Sequence, residues 1–140
     1  MIRFLKSWAA DREGLAAVEF ALIVPVLATL LILGTDGWMN INANAEVRTA
    51  LQTGARYYQT GGSSDDAATA AVTAAWPSKP ADGALSIARS CSCAALPADC
   101  ASTCPDATLP SVFVQLTAQG TYTGLMQSHP VSATNVIRVR

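Results

Sequence analysis

From Leu15 to Gly34 the chain runs twenty residues with a single ionisable side chain, Glu19. At about 1.5 Å of rise per residue, a helix of that length covers roughly 30 Å, the thickness of bilayer hydrocarbon. The pattern predicts a membrane-spanning helix. A polar interval follows, with Asp36 and the stretch from Asn40 to Asn44. Beyond it Val47, Ala50, Leu51, Gly54, Ala55 and Tyr58 fall at i, i+3, i+4, i+7, i+8 and i+11, which is an apolar stripe on a helix that needs covering. If the stripe continues the anchor, one helix runs from about Leu15 to Tyr58 and ends before the breaker pair Gly61-Gly62. Pro25 removes a backbone donor inside it and reads as a tolerated kink, because neighbouring helices can compensate within a membrane.

Ser63 or Ser64 can cap a second helix, with Asp65 and Asp66 facing the positive end of its dipole and Pro77 ending it. Ala67, Ala71 and Ala75 with Val72 and Trp76 give this helix a narrow apolar face suited to packing on the first. After Ser78-Lys79-Pro80 the period changes. Ala84 to Arg89, Ser111 to Ala118 and Ala133 to Arg140 alternate or carry β-branched residues, which predicts three strands of an antiparallel sheet. The expected fold is α+β: a long N-terminal transmembrane helix, a second short helix, and a small antiparallel head.

Charge placement orients the chain. Arg3, Lys6 and Arg12 precede the apolar run, offset by Asp11 and Glu13, so the positive-inside tendency puts Met1 to Gly14 in the cytoplasm and exports the rest. Trp8 and Trp38 stand near the two ends of the anchor and read as interface anchors or packing residues. The formal net charge of −1, with no cluster of Lys and Arg, argues against a nucleic-acid partner.

Cys91, Cys93, Cys100 and Cys104 lie in one short segment, and export favours disulfides. Cys91 and Cys93 are too close to pair comfortably. Cys91 with Cys100 and Cys93 with Cys104, or Cys91 with Cys104 and Cys93 with Cys100, both remain open. Zinc is the lesser reading, since the spacing lacks paired C-x-x-C knuckles. Bridges would brace a head whose core is small, because about half the chain is apolar and much of that is spent on the anchor or is alanine. No cofactor is expected. His129, the one histidine, sits beside Pro130 in a polar stretch that reads as an exposed loop, and no phosphate-binding glycine loop or metal-protease pair appears. The chain reads as a structural protein rather than an enzyme.

Glu19 needs its own account. An ionised side chain costs about 2.5 to 3.5 kcal/mol at the bilayer centre, so Glu19 either snorkels to the headgroups or awaits a cation. If a peptidase cut after Gly14, Leu15 would carry a free α-amino group, and a neighbouring subunit's amine could pair with Glu19 within lipid. The run Gly14-Leu15-Ala16-Ala17-Val18-Glu19-Phe20 resembles the processing site of prepilins of the tight-adherence (Flp) branch of type IV pili, where cleavage follows a glycine and a glutamate stands fifth in the product. Arg12-Glu13-Gly14 before Ala-Val-Glu-Phe-Ala, and the Leu/Ile/Val run with Pro25, are similar to the TadE-like minor pilins, or pseudopilins, of that system. Thr53-Gly54-Ala55-Arg56-Tyr57 matches the family's Ala/Gly-Ala-Arg pattern, and the cysteine-bearing region before a strand-like end fits loosely. Asp36 and Asn40 to Asn44 depart from it, being more polar than usual.

The resemblance implies a leader over 1–14 cut between Gly14 and Leu15, an extended helix over 15–60, and a pilin-like extracytoplasmic head over 61–140 with its cysteine-rich loop at 91–104. Glu19 and Phe20 would then serve subunit pairing. It further implies a bacterial inner-membrane precursor with a cytoplasmic N-terminus and periplasmic C-terminus, reaching a surface pilus after assembly. Its partners would be a prepilin peptidase, other minor pilins, the major pilin and an inner-membrane assembly platform. Two rivals compete. A cleaved secretory signal could use Ala43-Asn44-Ala45, but the apolar run exceeds the usual length of about 7 to 15 residues. A membrane-tethered binding module would keep the anchor and head without entering a filament.

Overall fold

The computed structural model describes residues 13–140, with side chains from Ala17 onward. Helix α1 spans Glu13–Gln59 and α2 spans Asp65–Ala74. Strands β1 (Ala84–Cys93), β2 (Leu96–Ala98), β3 (Ser111–Thr123) and β4 (Ser128–Arg138) follow. Two compact units divide at Trp38 and Met39. Residues 1–12 of the expected leader, with Arg3, Lys6, Trp8, Asp11 and Arg12, lie outside the described residues.

In the first unit α1 carries Pro25 without ending. In the second, α1 ends where the glycines demand it. Gly61 adopts φ of 95°, a left-handed conformation that costs glycine nothing. It donates to the Tyr58 carbonyl at 3.1 Å, while Gly62 donates to that of Tyr57 at 2.9 Å, the paired bonds of a Schellman cap. Ser64 caps α2, its hydroxyl accepting from the Ala67 amide at 3.3 Å, and Asp65 and Asp66 occupy the first turn. The helix stops at Ala74, ahead of Pro77, because a residue before proline is pushed out of helical backbone.

The sheet is antiparallel with spatial order β2-β1-β3-β4. Register places Leu85 opposite Ala118, Ile87 opposite Leu116 and Arg89 opposite Val114. On the other side Ala118 faces Ala133, Leu116 faces Asn135 and Val114 faces Ile137. Because side chains alternate along a strand, these residues share the face that turns to the helices. Val114, Leu116, Ala118, Val131 and Ile137 close a core with the α1 stripe of Val47, Ala50, Leu51, Ala55 and Tyr58 and with Ala68, Val72 and Trp76 after it. The opposite face is uncharged over most of its width, with Ser86, Gln115, Gln119, Ser132 and Thr134 exposed.

Several expectations need correction. The sheet has four strands rather than three, and β1, β3 and β4 are longer than the periods suggested, β4 starting at Ser128 instead of Ala133 and ending at Arg138 instead of Arg140. The added strand β2 is three residues long and folds back on β1 through Ala94-Ala95. Of the apolar face expected on the second helix, Val72 and Trp76, the latter just past the end of α2, are buried and Ala71 and Ala75 are half-buried, while Ala67 is exposed and Ala68 is buried instead. His129 lies within β4 opposite Tyr122, half-buried, and not in a loop.

Candidate functional site

The first candidate is the exposed part of α1. Phe20, Leu22, Ile23, Val26, Leu27, Leu30 and Leu31 all expose half or more of their surface, Phe20 at 68 %. A soluble protein rarely presents so long an apolar surface, and this helix is long and apolar enough to cross a membrane, which suggests membrane anchoring. Its hydroxyls are hidden locally, since Thr29 and Thr35 each donate to a carbonyl one turn back, Pro25 and Leu31, at 2.8 Å. Gly14 and Leu15 lie in the first turns of α1, and Glu19 lies among exposed neighbours, one helical turn after Leu15. Asp36 is the one charged side chain buried among the described residues, at 4 % exposure.

The second candidate ties α1, α2 and β1 together. The Tyr58 hydroxyl donates to Asp65 Oδ1 at 2.6 Å, and Arg89 Nη2 donates to the same oxygen at 2.5 Å and to the Ser63 carbonyl at 3.0 Å. The Arg89 guanidinium also stands 6.0 Å from the centre of the Tyr58 ring. Burial, then the bond to the Asp65 carboxylate, pushes the Tyr58 phenol up to about 12. The Tyr58 hydroxyl and the Arg89 cation hold Asp65 below the ordinary carboxylate range, and Asp65 and Tyr58 hold Arg89 above its own. These shifts stabilise one protonation state, neutral Tyr58 with ionised Asp65 and Arg89. The arrangement is a clasp rather than a set of groups poised to exchange protons. Sequence reading assigned Asp65 only to helix-start chemistry and did not bring Arg89 to it. A second tie joins Glu46 on α1 to the Ser78 amide, at 3.0 Å, and to the Ser78 hydroxyl.

The third candidate is the cysteine loop. Cys91 is bonded to Cys100 and Cys93 to Cys104, one of the two pairings the spacing left open. No thiolate is thereby left on these four residues for a metal, and among the described residues no group of three or more His, Cys, Asp or Glu side chains gathers. Beside the Cys93–Cys104 bridge an apolar cleft of about 440 Å³ is lined by residues that include Leu96, Pro97, Ala98 and Pro105. Ala94 and Ala95 hold φ of 47° and 70° at the β1–β2 turn, where a two-residue hairpin favours Asn-Gly.

No curated protein and no solved structure matches the chain. Residues 14–56 match a family described as TadE-like protein, and they fall entirely within α1. The family is structural and non-enzymatic, and it points to a protein associated with the tight-adherence pilus. The matched segment contains Glu19 and Phe20, the exposed apolar run and the Gly54-Ala55-Arg56 sequence, and ends just before the clasp at Tyr58. Over residues 14–56 this chain is similar to the TadE-like family.

Proposed function

We propose that the chain is a minor pilin, or pseudopilin, of a tight-adherence type IV pilus, cut after Gly14 and contributing to the initiation or assembly of the adhesive filament. The observation that carries this reading is the family match over residues 14–56 falling on a helix whose apolar side chains face outward with Glu19 among them. A helix of this kind has an unpartnered surface in the first unit, and other pilin helices have the chemistry to cover it in a lipid or filament setting. Leu15 would become the first residue of the mature chain. Its amine, brought by a neighbouring subunit, would neutralise Glu19 where burial in lipid makes an unpaired carboxylate costly. Phe20 would pack beside that pair. The head would be presented outside the cell, held by its two bridges. The partners on this reading are a prepilin peptidase, the major and other minor pilins, and the inner-membrane platform that assembles them.

The secretory alternative loses ground on position. Ala43-Asn44-Ala45 lies inside α1, with Ala43 at 5 % exposure in the core, so cutting there would remove residues on which the head packs.

Glu19→Gln tests the pairing. It keeps shape and removes charge, so processing should continue while filament assembly falls sharply. Normal piliation with a correctly processed Glu19→Gln chain would remove Glu19 from the assembly mechanism.

A further inference from the structure

The two edges of the sheet are treated differently. At one edge β2 is three residues long, contains Pro97, and is tethered on both sides by the bridges at Cys93 and Cys100, all of which blunt it against pairing. At the other edge β4 runs eleven residues, Ser128–Arg138, with no strand beyond it among the described residues. Its outward hydrogen-bonding groups can be assigned from the two ends of the hairpin. Gly124 donates to Gln127 at 3.0 Å, and Val139 donates to Val112 at 2.9 Å. Antiparallel pairs alternate between bonded and non-bonded, so the register makes Gly120 with Val131, Ala118 with Ala133, Leu116 with Asn135 and Val114 with Ile137 the bonded pairs. The N–H and C=O groups of Ser132, Thr134, Val136 and Arg138 therefore point away from β3. Pro130, on the same outward set, has no N–H, so the open ladder starts at Ser132.

A groove lies beside that ladder. Arg48, Leu51 and Gln52 on α1 and Ser132 to Asn135 on β4 line about 500 Å³ of open space. Arg48 and Gln52 are exposed, four residues apart and so on one helix face, while Leu51 forms an apolar floor at 1 % exposure. Among the described residues no carboxylate forms an ion pair with Arg48, so Arg48 brings an uncompensated cation to the groove.

We propose that the β4 edge and this groove form a docking site for an extended peptide segment of a partner chain, added to the sheet as a fifth strand and carrying a carboxylate that Arg48 receives. A strand added beside β4 lies about 4.8 Å away. Its residues opposite Ser132, Thr134 and Val136 exchange backbone bonds with them. Those opposite Ala133 and Asn135 project on the helix side of the sheet, toward Arg48 and Gln52. Backbone pairing supplies affinity, and the Arg48 charge selects an acidic residue at one alternate position. The site is independent of the membrane segment and of where the chain is cut.

The test uses the oxidised full chain in detergent micelles, isotopically labelled, titrated to millimolar concentration with an acetylated and amidated peptide TVEVT. The expected result is saturable shifts of the Ser132, Thr134 and Val136 amides. Replacing the peptide's glutamate by lysine should weaken binding about tenfold, and Arg48→Glu should reverse that preference. Methylating the two valine nitrogens, which leaves the protein unchanged, should abolish binding. Absence of shifts at β4, or binding indifferent to both N-methylation and charge reversal, would overturn the proposal. So would self-association of the chain through β4 without peptide, relieved by Thr134→Pro, because it would assign the edge to a second copy.

Discussion

Gly54 lies where α1, α2 and β3 meet. A β-carbon built on it would stand 2.5 Å from Val72 Cγ2 and 2.8 Å from Leu116 Cδ2. Neither neighbour has room to yield, since Val72 is 1 % and Leu116 0 % exposed, and the branched Val72 is stiff at χ1. For Gly54→Ala two effects oppose. Removing a helix-interior glycine gains about 1 kcal/mol, and forcing a methyl into a filled contact costs about 1 to 3 kcal/mol. The contacts are closer than real side chains tolerate, so overpacking wins and a net loss of about 1 kcal/mol is expected, rising to about 2 to 3 kcal/mol for Gly54→Val. The control is Thr53→Ala, one residue away and exposed, which should stabilise by a few tenths of a kcal/mol through propensity alone. Thermal unfolding of the oxidised full chain in micelles, followed by near-ultraviolet circular dichroism, should show Gly54→Ala melting about 4 to 8 °C lower and Thr53→Ala unchanged or higher. Adding Val72→Ala should recover part of the Gly54→Ala loss, because the two sites touch. If Gly54→Ala stabilises as much as Thr53→Ala, the close packing of α1 against α2 and β3 is wrong. The same geometry gives a physical reason for a Gly-Ala pair in this part of the family segment: Ala55 is buried at 4 %, and both positions admit only small residues.

The clasp predicts alkaline sensitivity. Tyr58 has its folded value raised from 10.0 to about 12, so its contribution is fully present below pH 10 and is lost as pH rises toward 12, because the unfolded chain releases that proton first. Stability should fall by about 2 kcal/mol across that window, and Tyr58→Phe should flatten this part of the profile; denaturant titrations at stepped pH decide it. Each bridge closes a short loop, with separations of 9 and 11 residues, worth about 2 to 3 kcal/mol by chain entropy. Replacing Cys91 and Cys100 together by serine should lower the unfolding midpoint accordingly, and an unchanged midpoint would show that the loop does not depend on that bridge. The left-handed Ala94-Ala95 turn should improve on conversion to Asn-Gly by about 1 kcal/mol, read as a higher midpoint in the same assay.

How much of this was legible follows from where the contrast lies in the sequence. Helix α1 could be read because an apolar run, a clean stripe from Val47 to Tyr58 and a Gly61-Gly62 stop all agree. The face of α2 could be read only at Val72 and Trp76, because Ala67, Ala68, Ala70 and Ala71 are chemically alike and only tertiary packing places Ala68 rather than Ala67 in the core. The strands were read short where small polar residues alternate on the open face, as at Ser90, Gln119 and Ser132, leaving little β-branched signal. Strand β2 has almost no intrinsic strand character, with Pro97 in its middle, and forms beside bridges that fold the loop onto β1. Arg89 reaches Asp65 across 24 positions, a distance at which spacing is silent. Glu19 stood out at once, since one charge in twenty membrane-grade residues asks for a reason. Its partner, if an amine from another subunit, lies outside any single chain.

The central claim is that the chain is made as a prepilin and matured at Gly14. The most direct measurement is the intact mass of the native protein extracted from membranes, before and after reduction. The account predicts a chain beginning at Leu15 that gains about 4 Da on reduction, one hydrogen for each cysteine of the two bridges. A chain still beginning at Met1 would contradict pilin maturation and leave a tethered head, and one beginning at Glu46 would deprive Glu19 of any place in the mature protein.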